Sequence, residues 1–138
     1  MRVLIDTNVI LDILTKREPH YEHSAALLRL CGARINGFMT ANQTTDIFYM
    51  LCREGLKEAD AKAVLHKLTD NLKVIDVTVA DVMNALVSEI SDYEDTLLAF
   101  CSKRKKIDYI ITRNERDFRQ SPVPALSPQA FLESLYEE

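Results

Sequence analysis

Acidic side chains stand at four separated places where they are set up to meet an ion or a phosphate. Asp6 follows directly on an apolar run, Asp46 lies beside an apolar helical stripe, Asp95 falls where a later helix opens, and Asn114 and Asp117 occupy a polar turn after another apolar run. Each has an ordinary explanation when taken singly. Asp6-Thr7-Asn8 suits a helix cap. Asp92, Glu94 and Asp95 at a helix start gain roughly 0.3–1 kcal/mol from the helix dipole. Asp46 shares a polar edge with Asn42, Tyr49 and Arg53 at four-, three- and seven-residue spacings, and Asn114 and Asp117 are common turn residues. Brought together without a cation, several carboxylates repel. Mg²⁺ or Mn²⁺ removes the conflict, because these hard cations take oxygen ligands and are held by one or two carboxylates, waters and substrate phosphate. Neither histidine nor cysteine is spaced for zinc, and His20, His23 and His66 read as surface or loop residues.

The elements that must position these groups can be read along the chain. Val3-Leu4-Ile5 is strand-like and stops at Asp6-Thr7-Asn8, after which Val9, Ile10, Ile13 and Leu14 resume at helical spacing. Pro19 breaks that helix, and a second is predicted over Tyr21 to Ala33. Asn36 to Thr40 is short enough for a strand, and Thr44, Ile47, Phe48, Leu51 and Cys52 mark a third helix ending at Gly55. A fourth helix is expected over Lys57 to Asn71, with a strand over Lys73 to Val77. Val79, Val82, Met83, Leu86, Val87 and Ile90 form the most regular helical period in the chain. Leu97, Leu98 and Cys101 mark another helix that runs out in Lys103 to Lys106, a placement that suits the negative end of the helix dipole. Tyr109 to Thr112 reads as a buried strand, Val123 to Leu126 between prolines as an edge strand at best, and Ser127-Pro128 as the start of a terminal helix.

Strands alternating with helices, and too apolar to face water, predict an α/β fold with a mostly parallel sheet. In such sheets ligands sit beyond the carboxyl ends of the strands, where Asp6 and the Thr112-Arg113-Asn114 turn would meet. At 138 residues, without linker, repeat or low-complexity tract, residues 1–138 are expected to form one domain that buries roughly two-thirds of its unfolded surface.

Composition narrows the function classes. Hydrophobic residues make up 47% and charged residues 28% of the chain, and no stretch reaches the roughly 18 apolar residues of a membrane span. The amino terminus, interrupted by Asp6 and Asp12, does not read as a signal peptide. Three unpaired-looking cysteines, Cys31, Cys52 and Cys101, fall on apolar helix faces and point to a reduced, cytoplasmic setting. A net charge of −4 argues against a nonspecific nucleic-acid coat protein. It leaves room for an enzyme that touches nucleic acid briefly, since residues 103–119 carry seven basic against three acidic side chains.

VLIDTNVILD at the amino terminus, DYEDTLLA in the later helix and IITRNERDF after the next strand together resemble the PIN domains, including the VapC-type toxins of toxin–antitoxin pairs. The resemblance extends to the closing strand and the SPQAF helix. It implies a three-layer α/β/α domain with a central, mostly parallel sheet of four or five strands, and hydrolysis of RNA phosphodiesters dependent on Mg²⁺ or Mn²⁺. Carried onto this chain, the first family acid falls on Asp6, the third on Asp95 and the last on the turn holding Asn114 and Asp117. The second, typically a glutamate, falls on Asp46, whose shorter side chain reaches roughly one bond less far. Thr7, Asn8, Asp92 and Thr112 would support these groups, and Arg113, Arg116 and the Lys103 to Lys106 run would steer the RNA backbone. A cognate antitoxin and a homodimer are the partners implied. The competing readings are a turnover-deficient PIN-like module that binds RNA or protein, a receiver-type phosphoacceptor and a haloacid-type phosphatase. The receiver would need a lysine at the end of the last strand, and the phosphatase acids at alternate positions where Asp6-Thr7-Asn8 stands.

Overall fold

Short runs of apolar residues become strands, the three central ones largely buried and the two outer ones partly exposed. In a computed structural model, which describes residues 1–90 and 92–137, β1 (Arg2–Ile5), β2 (Asn36–Thr40), β3 (Leu72–Ile75), β4 (Tyr109–Ile111) and β5 (Ala125–Leu126) form a five-stranded sheet in the order β3-β2-β1-β4-β5. Every pairing is parallel. Between the strands run α1 (Thr7–Leu14), α2 (Tyr21–Leu30), α3 (Ala41–Arg53), α4 (Glu58–Leu68), α5 (Val79–Val87), α6 (Tyr93–Arg104) and α7 (Pro128–Tyr136).

Alternation along each strand divides the interior in two. Val3, Ile5, Met39 and Ile111 pack with residues of α1, α2, α3, α4 and α7, whereas Leu4, Phe38 and Ile110 pack with Ala85 of α5 and with Leu97, Leu98 and Cys101 of α6. The result is the three-layer α/β/α domain with a central parallel sheet, at the five-strand end of the expected range. Gly37 is required on the first face: a Cβ there would lie 2.5 Å from the Cys31 sulfur and 2.7 Å from a Leu72 methyl.

The element boundaries depart from the sequence reading where tertiary contacts decide them. The second helix ends at Leu30 rather than Ala33, because Gly32 takes φ +86 and Cys31 pairs with Ile35 in an isolated bridge. Cys31 is therefore buried in a turn and not on a helix face, while all three cysteines are free. The third helix opens three residues early, since Thr40 and Gln43 form a reciprocal capping box. Pairing of Gly37 to Thr40 with Leu72 to Ile75 shifts the third strand back from the expected Lys73 to Val77. The regular apolar period after Val79 forms α5, yet Val79, Met83, Leu86 and Val87 are exposed, at 55–79% of their surface, and Ile90 lies beyond the helix.

The sheet order places β1 between β2 and β4, so the chain winds one way through β2 and β3 and the other through β4 and β5. The reversal falls between β1 and β4, and a crevice opens at their carboxyl ends. Ile5 is in register with Ile111, and the Asp6 N–H donates to the Ile111 carbonyl at 2.9 Å.

Candidate active site

At the end of β1, Asp6 caps α1: its Oδ1 accepts from the Thr7 N–H at 2.8 Å. Its Oδ2 accepts from the Thr112 hydroxyl at 2.8 Å, and that hydroxyl in turn accepts from the Asn114 N–H at 3.0 Å. Thr112 thus ties the carboxylate after β1 to the turn after β4, and both residues are buried. Gln43 holds the neighbouring wall, donating from Nε2 to the Ile5 carbonyl at 2.8 Å and to the Thr7 hydroxyl at 3.2 Å. Asp92 caps α6 by accepting from the Asp95 N–H at 3.0 Å, and Asp46 sits in the second turn of α3.

These groups line a single cleft of about 410 Å³, whose walls include Asp6, Thr7, Asn8, Asp46, Asp92, Glu94, Asp95, Asn114 and Asp117. The four expected acids are therefore brought together, and Asn114 and Asp117 both face the same space. Crowding shows in their proton affinities. Asp95 is pushed up to about 7 from 3.8, first by burial and then by the charges of Asp92, Asp6, Asp117 and Glu94. Burial also raises Asp6, against the opposing effects of Thr112, Thr7 and Arg113. Glu94 is raised by burial and by Asp46, Asp92 and Asp6.

Among the described residues no three carboxylate, imidazole or thiolate groups stand close enough to form a ready-made cage for an ion. An all-oxygen wall of this kind fits a cation that keeps several of its waters and takes one or two carboxylates directly, as Mg²⁺ does. The histidines stand apart from the cleft, His20 just before α2 and His23 and His66 exposed on α2 and α4, in line with their reading as surface or loop residues.

The basic residues expected to meet RNA are placed elsewhere. Arg113 turns to the fully buried Asp12, with Nε 2.7 Å from Oδ2 and Nη2 donating to Oδ1 at 3.2 Å. An uncompensated carboxylate inside the protein would be costly, and this pairing uses the guanidinium that the sequence assigned to RNA. Arg116 is exposed in the 3₁₀ turn Glu115–Phe118 and is absent from the cleft wall. Of the 103–106 run, Arg104 Nε donates to Asp81 at 3.0 Å and Lys105 lies 3.6 Å from Asp76. Arg104 stands nine residues beyond Asp95 on α6, about 14 Å further along the helix.

Five polar lining residues, Asn42, Gln43, Tyr49, Arg53 and Glu94, went unassigned in the sequence. Gln43 carried no signal, because the helix was read from Thr44 onward and Gln43 lay before it, and Glu94 was absorbed into the capping of α6. Tyr49 and Arg53 were visible as the polar edge shared with Asp46, without anything to say that the edge faced the acids.

The PIN domain profile matches residues 2–116. The chain is 26% identical over 140 residues to the protein named Ribonuclease VapC1 of Aquifex aeolicus, covering 96% of this chain and 94% of that one. Its fold is similar to that of a VapBC-1 structure from nontypeable Haemophilus influenzae, with a TM-score of 0.70 at 14% identity over 94% of this chain and 99% of the other. It is also similar to a toxin–antitoxin complex from Klebsiella pneumoniae, with a TM-score of 0.65 at 17% identity over 91% and 97% of the two chains. The profile takes in β1 to β4, the acids Asp6, Asp46 and Asp95 and the Asn114 amide that share the cleft, and the chain accordingly belongs to the PIN-domain family.

Proposed function

We propose that residues 1–138 act as one nuclease domain that hydrolyses RNA phosphodiester bonds with Mg²⁺ or Mn²⁺, as the toxin of a toxin–antitoxin pair. The observation that carries this reading is the convergence of Asp6, Asp46, Asp95 and Asp117 on one cleft, with Asp95 pushed up to about 7. Asp6, Asp95 and Asp117 or Asn114 would hold the cation. When bound, it supplies a water of lowered pKa and neutralises charge developing on the phosphate. Thr112 fixes the rotamer of Asp6 by donating to Oδ2, Asp92 holds the first turn of α6, and Thr7 and Asn8 line the floor between them. Asp46 orients the attacking water or holds a second ion. Cleavage of a fluorescent RNA by the purified protein tests the reading: cutting in Mn²⁺, its loss in EDTA and recovery on adding Mn²⁺ in excess are expected. Intact RNA in Mn²⁺ would overturn it and favour the turnover-deficient module.

Asp46 separates those two readings further. If its short side chain works through water, Asp46→Glu should keep or raise the cleavage rate and Asp46→Ala should lower it about tenfold or more, measured as kcat/KM. An unchanged alanine variant would return Asp46 to a solvated helix edge.

Three features of the setting follow from the same reading. Among the described residues no helix is long and apolar enough to cross a membrane, in keeping with action on RNA in the cytoplasm. The Haemophilus and Klebsiella relatives were solved as VapBC and toxin–antitoxin complexes, which supports an antitoxin as partner; a short DNA-binding protein encoded next to this one would strengthen that assignment. The homodimer would use the face of α5 that presents Val79, Met83, Leu86 and Val87 to solvent, an apolar stripe left uncovered among the described residues. Leu86→Glu with Val87→Glu should turn a dimer into a monomer in analytical ultracentrifugation while changing the melting temperature little, because both side chains are already exposed. A dimer that survives both changes would place the interface elsewhere.

A further inference from the structure

The acidic cleft raises a difficulty that its cation alone does not solve. Six carboxylates, Asp6, Asp46, Asp92, Glu94, Asp95 and Asp117, line it, and among the described residues Arg53 is the one basic side chain in its wall. A bound cation compensates the phosphate being cut. One guanidinium is too little to hold the nucleotides on both sides of it, since Arg113 is committed to Asp12 and Arg104 to Asp81.

Tyr49 supplies an uncharged alternative. It lines the cleft one helical turn from Asp46 and leaves 67% of its surface exposed, an unusual amount for an aromatic residue in the wall of a cavity. Its ring is restrained without being covered: it forms a T-shaped pair with Phe48, the centroids 5.8 Å apart and the planes at 71°. Phe48 in turn packs against the core. Asp46, Tyr49 and Arg53 succeed one another at three and four residues along α3, the spacing of one helix face, over about 10 Å of helix. An acid, an aromatic ring and a guanidinium in that order match a phosphate at the metal, the adjoining base and the next phosphate.

We infer that Tyr49 is a stacking platform for an unpaired base beside the scissile phosphate, with Arg53 on the neighbouring phosphate. The inference rests on the ribonuclease reading of the same cleft. Bases in a duplex have their faces occupied, whereas a single strand offers them to an aromatic side chain. Stacking is also indifferent to the acidic potential that would repel a backbone lying alone in the cleft.

The test uses a fluorescein-labelled RNA 12-mer, free or annealed to its complement, with wild type, Tyr49→Phe, Tyr49→Ala and Arg53→Ala. Binding is read by anisotropy in Ca²⁺ and cleavage by steady-state kinetics in Mn²⁺. Tyr49→Ala should raise both Kd and KM for the single strand by about tenfold, in the range of one lost stack, and change kcat by less than about threefold. Tyr49→Phe should stay within about twofold of wild type. Wild type should favour the single strand, and Tyr49→Ala should lose most of that preference. Arg53→Ala should weaken binding and flatten its salt dependence by about one phosphate contact. If wild type cuts the RNA and Tyr49→Ala matches it in Kd and KM, the stacking assignment is overturned while the nuclease reading stands. If wild type binds but does not cut, the nuclease reading fails and the Kd comparison still decides the role of Tyr49. Unchanged binding and salt dependence in Arg53→Ala would overturn the phosphate contact, and failure of wild type to bind the single strand would overturn both.

Discussion

Replacing Asp95 by asparagine is expected to lower Mn²⁺-dependent RNA cleavage by about 10²- to 10³-fold, the loss that follows removal of one charge-stabilising group from a hydrolytic site, and to raise the melting temperature of the metal-free protein. The two effects have one origin. Burial and the charges of Asp92, Asp6, Asp117 and Glu94 push the Asp95 carboxyl up to about 7 in the folded state, against 3.8 for a free aspartate. Between those values the folded protein keeps a proton that the unfolded chain has shed. Metal-free stability therefore falls as pH rises from about 4 through about 7 and is lowest above that range. Asp6 and Glu94, also raised, add to it with the same sign. In EDTA the wild type should melt higher at about pH 5.5 than at about pH 8, and Asp95→Asn should flatten that difference because an amide does not titrate. Mn²⁺ at 100 times its dissociation constant would add roughly 2.7 kcal/mol to the wild type and very little to the variant. Asp92 and not Asp95 caps α6, so a variant that loses stability in EDTA would show that the charge of Asp95 favours the helix start and does not belong to a repelling cluster.

Arg113→Ala should unfold more easily by about 3 kcal/mol without losing affinity for RNA. Asp12 is wholly buried on α1, and the Arg113 guanidinium meets both of its oxygens. Arg17, 4.0 Å away and shared at the same distance with Glu54, is a weaker second partner. Removing one member of a buried ion pair costs about 3–5 kcal/mol, and the lower end applies because the Arg113 side chain is 29% exposed. For a chain of this length that is a fall of about 10 °C in melting temperature. Asp12→Asn with Arg113→Met should recover part of the loss, since a neutral pair strands no charge. Normal stability with weakened RNA binding in Arg113→Ala would return Arg113 to steering the RNA backbone.

The contrast between Arg113 and Asp6 shows what the sequence could and could not reveal. Asp6 was legible because local patterning carries the relevant information: an apolar strand of three residues stops at a capping residue, and parallel α/β sheets place such stops at one edge. The same holds for Thr112, Asn114 and Asp117 after β4, and for Asp95 in the first turn of α6. Arg113 was not legible, since its direction is set by Asp12, 101 residues away in the chain, and an aspartate inside VILDIL gives no sign of which cation covers it. Tyr49 and Arg53 were visible as neighbours of Asp46, but whether α3 turned that edge to the cleft depended on the capping box at Thr40 and Gln43. The period of α5 was read correctly as a helix. Its apolar stripe suggested burial and is exposed, because periodicity reports a face and not what lies against it.

Hydrolysis of RNA in this cleft depends on its carboxylates taking up a divalent cation, and calorimetric titration of Mn²⁺ into metal-free protein at about pH 7.5 measures that step without any assumption about the RNA. Wild type should give a saturable isotherm accompanied by proton release, seen as a heat that varies with the ionisation enthalpy of the buffer, because Asp95 gives up the proton it holds near pH 7. Asp6→Asn and Asp95→Asn should give no saturable heat at the same concentrations. Wild type without saturable uptake, or isotherms that superimpose for wild type and Asp95→Asn, would contradict the assignment of this cleft as a metal-dependent nuclease site.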